Sequence, residues 1–481
     1  MNSTTALAAS ALMAACCAFT IRSAQAGVPA GDTVARLRYW NEAALTANAI
    51  DHTRPLPGTL GIAEQPGPTR TSRALAIVHI AMFDAVNAIA GRYPSYAGVP
   101  PAPSDSSPDA AIARAARDTL VALYPLQAAS LNDRYVQDLR RIADGRAKNN
   151  GVETGRLAAA AILALRAADG VQYEEPLVGI DFFPSNAPGK WRPDPVSRSP
   201  LALGAYWGHV QPFVLPSSRT FPLGPPPALA SSAYLAAFDE VKRLGGDGLT
   251  TPTARSKMQT IVGIYWAYDG TPGLGAPPRL YNQITVEIAA ARGAHALELA
   301  RLLALVNVAM ADTCMVLWEF KYDYQVWRPV TGIREASPGS SPTGLGDGNP
   351  DTRGDPGWTP LGAPASNSSL PNFTPPFPAY PSSHAGLGSA MFQILRDFYG
   401  TDQIAFTFVS DEFNGVTRDN RGMLRPRLPR SFANLSQAEE ENGQSRIYLG
   451  IHWAFDKTAG FYLGRRVANY VFQHGLVRPA P

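Results

Sequence analysis

The chain has 481 residues, 17% of them charged and 45% hydrophobic, with 42 Gly and 43 Pro. That balance excludes intrinsic disorder and allows a large buried core, while the length admits two or three domains of about 150 residues. The 42 basic and 39 acidic residues leave a net charge of +3, with neither a Lys/Arg run nor zinc-finger spacing, so nucleic acid is not an expected partner.

Residues 1–26 read as a secretory signal. An apolar run from Ala6 to Ile21, with no Lys or Arg before it, precedes the small-x-small sequence Ser23-Ala24-Gln25-Ala26. A lipid anchor at Cys16 or Cys17 is the alternative. With the segment removed, a mature chain keeps only Cys314, which excludes an internal disulfide and a thiolate metal site. Beyond residue 26 the longest apolar run, Leu302 to Ala311, stops at Asp312, and no stable membrane span is expected. The expectation is a soluble protein, secreted or periplasmic.

Apolar residues recur at three- and four-residue spacing over 33–48, 72–91, 109–123, 127–144 and 150–168. Thr71 and Ser72 are candidate caps for the second of these helices and Gly91 a candidate stop. A Pro/Gly/aromatic stretch over 171–229 reads as loops. Helical spacing resumes over 231–243, 251–268, 279–292 and 294–320. Residues 335–381 are again loop, and helices are expected over 383–399 and 434–473. Sustained strand-type alternation and internal repeats are missing. The expected class is all-α, two packed helical bundles: a helical region with long loops over 27–230 and a helical bundle over 231–481.

Three short motifs fall within the 136 residues from 321 to 456: Lys321-Tyr-Asp-Tyr-Gln-Val-Trp-Arg328-Pro329, Tyr380-Pro381-Ser382-Ser383-His384, and Ser445-Arg446-Ile-Tyr-Leu-Gly-Ile-His452-Trp-Ala-Phe-Asp456. Pro381 and Ser382 before an apolar-periodic run mark a helix start, where free backbone N–H groups favour an anion. Arg328 and Arg446 supply planar forks for a tetrahedral oxyanion, and Lys321 adds a point charge. His452 and Asp456, four apart on an expected helix, share a face, so the carboxylate can orient the imidazole. The ligand these groups suit is phosphate-like. Each residue alone has an ordinary structural reading, and Lys190-Trp-Arg192-Pro193 reads as a chance copy of the first motif. Co-occurrence of all three motifs in order is what favours a site.

The patterns Lys-x6-Arg-Pro, Pro-Ser-x-His and Ser-Arg-x5-His-x3-Asp resemble those of the vanadium-dependent haloperoxidases and the type 2 phosphatidic acid phosphatase superfamily. The likeness extends to Trp318, Gly362-Ala-Pro-Ala-Ser-Asn367, Pro375-Pro-Phe377, Asp411-Glu-Phe-Asn-Gly-Val-Thr-Arg418, Tyr268-Asp269-Gly270 and Pro277-Pro-Arg-Leu-Tyr-Asn-Gln283. It implies a helical fold like that of vanadium chloroperoxidase and acid phosphatase, and vanadate as cofactor. His452 would be the axial metal ligand. Lys321, Arg328, Arg446, Ser382 and the Ser383 backbone N–H would hold the vanadate oxygens. His384 would be the acid–base group, Asp269 would hold Arg446 and Asp456 would support His452. Phe377 and Trp318 would wall a halide pocket. Hydrogen peroxide, a halide and an organic acceptor are the implied partners, with chloride or bromide oxidised to hypohalous acid through a His-ligated peroxovanadate. The alternative within the superfamily is an acid phosphatase forming a phosphohistidine at His452; a non-catalytic oxyanion-binding protein is a third reading. Ser383 stands where the family usually has Gly. If it starts a right-handed helix, its Cβ is tolerated; if φ must be positive, it is not.

Overall fold

The computed structural model describes residue 28 and residues 31–53 and 63–477; the proposed signal, with Cys16 and Cys17, lies outside them. The described chain is mainly helical: α1 (Thr33–Asp51), α2 (Gly67–Ala90), α3 (Pro108–Leu123), α4 (Ala128–Leu139), α5 (Arg146–Leu165), α6 (Ser232–Leu244), α7 (Lys257–Tyr265), α8 (Pro278–Ala291), α9 (Ala296–Tyr324), α10 (Pro329–Arg334), α11 (Ser383–Tyr399), α12 (Leu435–Tyr448) and α13 (Ala454–His474). A single antiparallel hairpin, β1 (Phe406–Asn414) with β2 (Arg427–Phe432), completes it.

Two long apolar helices, α2 and α9, are buried on nearly every side. Both are long and apolar enough to cross a membrane, contrary to the reading from run length, yet their apolar windows are 89% and 94% buried inside the protein. Helices apolar all round belong in a large core, and that is where these lie. α9 packs against α2 on one side and against α11 and α13 on the other, within one continuous apolar cluster.

Several expected boundaries shift for local reasons. α2 begins at Gly67 after Pro66, with Pro68 in its first turn. Thr71 and Ser72 are therefore buried inside the helix rather than capping it, and the Ser72 hydroxyl donates to Thr69 O at 2.8 Å. Gly91 does stop α2, in the left-handed conformation (φ 63°). The helical region expected over 434–473 consists of two helices, α12 and α13, separated at Gly450 (φ 73°), where the chain crosses against the Gly245 backbone. The helix expected over 251–268 contracts to α7. The hairpin was not expected. β1 alternates, but its inward face mixes Phe406 and Phe408 with Ser410 and Glu412, and two buried polar residues erase the apolar signal.

α11 and α13 approach closely because Gly460 and Gly464 face α11. A Cβ on Gly460 would lie 2.6 Å from Ser382 O, and one on Gly464 would meet the Gly386 backbone. This contact places the start of α11 beside the start of α13, with Ser382 N donating to Asp456 O at 2.9 Å.

Candidate oxyanion site

Three breaks in helical structure bring the motifs together. α9 carries Lys321 in its last turn and ends at Gln325, whose left-handed backbone (φ 50°) turns the chain sharply. Val326-Trp327-Arg328 then runs extended, and Arg328 N-caps α10, so Lys321 and Arg328 face one pocket. Ser382 N-caps α11, its Oγ accepting from Ala385 N at 3.4 Å. Ser383 is the first residue of α11 and is not among the residues with positive φ, so a right-handed helix start accommodates its Cβ. Its amide belongs to the first turn, which has no intrahelical acceptor.

His452 lies between α12 and α13, before the N-cap Trp453, rather than on a helix as expected. The predicted contact with Asp456 nevertheless forms, by another route. Asp456 is the third residue of α13, and its Oδ2 accepts from Trp453 N at 2.9 Å and from His452 Nδ1 at 2.8 Å. With the proton on Nδ1, His452 Nε2 keeps its lone pair, which accepts from Arg328 Nη1 at 2.9 Å. Burial, then the positive charges of Arg328, Lys321 and Arg446, hold the His452 imidazole well below its ordinary pKa, so it is neutral. Burial pushes the Asp456 carboxyl up to about 7.

The cations are all buried. Arg328 also donates to Phe377 O and Ile451 O, both at 2.9 Å, and burial lowers its pKa to about 9. Lys321 donates to Pro378 O (2.9 Å), Ala379 O (3.1 Å) and Pro381 O. Burial and Arg328 push its ammonium down, while Asp456 opposes that shift. With three carbonyl acceptors, Lys321 organises the 378–381 segment as well as supplying charge. Arg446 differs from both. Its Nη2 donates to both oxygens of Asp269, at 2.7 and 3.0 Å, but its buried Nε and Nη1 have no hydrogen-bond partner. An unpartnered buried guanidinium edge costs stability unless a ligand completes it.

His384 closes the opposite side. Its Nε2 donates to Ala267 O at 2.6 Å and lies 3.8 Å from Asp269 Oδ1. Burial and then Arg446 hold this imidazole well below its ordinary pKa. Trp318 and Phe377 lie with ring centroids 4.9 Å apart and planes tilted by 53°, with Lys321 Nζ 5.2 Å and the Arg328 guanidinium 5.0 Å from the Phe377 ring. The Trp318 indole N–H is already taken by Leu203 O at 3.0 Å, so this wall offers a future ligand π faces rather than a donor.

All the expected site residues therefore converge: Lys321, Arg328, Ser382, Ser383, His384, Arg446, His452, Asp456, Asp269, Phe377 and Trp318. Others were given no role from the sequence. Asp194 accepts from Thr374 N at 3.0 Å and so anchors the segment whose carbonyls hold Arg328. Lys190-Trp-Arg192-Pro193, read as a coincidence, pairs with the first motif instead: Trp191 N donates to Gln325 O at 2.6 Å and Trp327 N to Gly189 O at 2.9 Å. Tyr281 hydroxyl and Asn442 Nδ2 both reach His384 O at 2.9 Å. Chemically, the pocket presents charged and neutral donors around one imidazole lone pair. It fits a tetrahedral oxyanion that also accepts a nitrogen ligand, as vanadate does.

Comparison with known proteins agrees with this geometry. A family model described as the VCPO second helical-bundle domain matches residues 301–477. The vanadium chloroperoxidase of Curvularia inaequalis is 32% identical over 510 residues, which cover 88% of this chain and 79% of that protein. Among solved structures, a bacterial vanadium-dependent iodoperoxidase superposes with a TM-score of 0.72 at 21% identity, covering 93% of this chain and 98% of the other. The holo form of a bacterial vanadium-dependent chloroperoxidase gives 0.65 at 16% identity, covering 90% and 96%. These two likenesses show the shared fold.

Proposed function

This chain belongs to the vanadium-dependent haloperoxidase family, and from that premise we propose that it oxidises chloride or bromide with hydrogen peroxide to hypohalous acid, which passes to an organic acceptor. The overall change consumes halide, peroxide and one proton and yields hypohalous acid and water. The observation that carries the reading is the pair of buried, unpartnered Arg446 donors in a pocket where Asp456 takes the Nδ1 side of His452 and leaves the Nε2 lone pair turned toward Arg328.

His452 Nε2 would ligate the metal, and Arg446, Arg328, Lys321, Ser382 and the Ser383 amide would hold the oxygens. When bound, vanadate supplies a Lewis-acidic centre that activates peroxide toward halide without changing its own oxidation state. Lys321 and the two arginines would stabilise the negative charge of the oxygens they hold, a fixed electrostatic contribution made in a dry site. Asp269 keeps Arg446 pointed at them. His384, neutral and buried, would accept a proton from peroxide and return it to the departing water. Phe377 and Trp318 exclude water where the halide would approach.

The test is an assay of purified protein with orthovanadate, hydrogen peroxide, monochlorodimedone and either chloride or bromide. Halogenation that needs vanadate and is suppressed by excess phosphate is the expected result. Hydrolysis of p-nitrophenyl phosphate with no halogenation under any of these conditions would replace this reading with a phosphohistidine mechanism at His452.

A further inference from the structure

The stretch Asp411-Glu-Phe-Asn, shared with the family in sequence, takes no part in the pocket. It lies on β1, which grips the loop following α7. Tyr265 hydroxyl donates to Phe408 O at 2.7 Å, Ser410 Oγ donates to Tyr265 O at 2.6 Å, and Asp411 N donates to the Tyr268 hydroxyl at 2.6 Å. That loop carries two site contacts on either side of one residue. Ala267 O holds the His384 ring, and Asp269 holds Arg446. Tyr268 between them sits at φ 49°, a left-handed conformation that a bulky residue adopts only when its surroundings impose it.

Behind this loop lies a buried carboxylate that the mechanism does not use. Glu412 Oε2 accepts from Ser366 Oγ at 2.6 Å and from Arg425, and Arg425 also donates to Ser366 Oγ at 2.8 Å. Glu412 N donates to Ser410 Oγ at 3.2 Å. The carboxylate faces the Tyr268 backbone amide, while its Oε1 completes no hydrogen bond. Burial, with Asp269 nearby, raises its pKa to about 7 against the opposing pull of Arg425.

We propose that Glu412, clamped by Ser366 and Arg425, is a positioning residue: it holds Tyr268 in its left-handed conformation and so sets the Ala267 and Asp269 contacts that aim His384 and Arg446 at the oxyanion. The inference rests on the vanadate reading above. It also predicts a sign. Removing a negative charge behind an anion site tightens anion binding if only electrostatics matters. Loss of positioning weakens it instead.

The experiment titrates orthovanadate and, separately, inorganic phosphate into wild-type protein, Glu412→Gln and, as a control, Asp138→Asn, while thermal melting reports stability. Asp138 is also a buried carboxylate beside an arginine, Arg36, far along the chain. Positioning predicts about tenfold weaker binding of both anions by Glu412→Gln, with Asp138→Asn within about twofold of wild type even as its melting temperature falls. Unchanged or tighter binding by Glu412→Gln overturns the proposal. Should that variant not fold, Ser366→Ala, which frees one side of the clamp, is judged by the same criterion. A wild-type chain that binds neither anion would refute the functional reading, and this inference with it.

Discussion

Replacing Asp456 by Asn is expected to weaken vanadate binding while stabilising the protein, and the two effects come from one carboxylate. Asp456 Oδ2 accepts both the His452 Nδ1 and the Trp453 N hydrogens, whereas the buried Oδ1 has no partner. An asparagine can keep both bonds through its carbonyl oxygen and put its amide where Oδ1 stood, so the variant removes charge rather than contacts. A hydrogen bond to a charged acceptor contributes about 1.5–3 kcal/mol and to a neutral one about 1, a difference of about 1–2 kcal/mol. At about 1.4 kcal/mol per decade that is roughly 5- to 30-fold in affinity. Stability moves the other way. Burial holds the carboxyl at about 7 against an ordinary 3.8, which costs the folded state about 4 kcal/mol once the group is ionised. Because the folded form binds this proton more tightly than the unfolded form, stability falls as pH rises between those two values, and Asn abolishes that slope. Titration with orthovanadate, paired with thermal melting at about pH 5 and pH 8, reads both. The reasoning fails if Asp456→Asn binds vanadate as tightly as wild type, or if its melting temperature falls with pH as steeply.

Arg446→Lys keeps the charge but loses the two free planar donors, so vanadate and phosphate affinity should drop together by about 100-fold; an unchanged phosphate affinity would place the anion elsewhere. His384 is held neutral in the pocket by burial and by Arg446, and an anion beside it raises its pKa. Binding should then take up a proton and weaken as pH rises through the raised value, visible by calorimetry in buffers of different ionisation heat; zero uptake would show that His384 does not face the anion. Ser383→Gly should change vanadate affinity by no more than about twofold and stability by about 1 kcal/mol at most, since the residue begins a right-handed helix. A large gain in affinity would show that the Cβ obstructs the pocket.

How much of this could be read from the sequence depends on how local each cause is. Lys321, Arg328, Ser382, Arg446 and His452 were legible because their spacing is set by chain segments of a few residues, each ending or beginning a helix. Even there the physical route differed: His452 meets Asp456 through the first turn of α13, not along a helix face, and a spacing of four happens to suit both. The apolar period marked most helices to within a few residues but missed β1, because its inward face spends two positions on Ser410 and Glu412. Lys190-Trp-Arg192 looked like noise because its partner, Gln325–Trp327, lies more than a hundred residues away.

Residues that act directly on a ligand are thus marked by their own chemistry, whereas those that aim them are marked only by their contacts. Asp194 and Glu412 illustrate the second kind. Neither stands in a motif whose spacing suggests a role, and each is recognised by the donors that converge on its carboxylate. Buried charged groups with unpartnered atoms occur elsewhere in the described chain too, at Arg36 and Asp138, but at the pocket and one layer behind it three stand together: Arg446 with open donors, Asp456 with an unpaired oxygen and Glu412 with another. A core chosen for stability alone would neutralise or replace such groups. Their placement here follows if the missing partner is the anion, which completes Arg446 directly and makes the rigidity behind it useful.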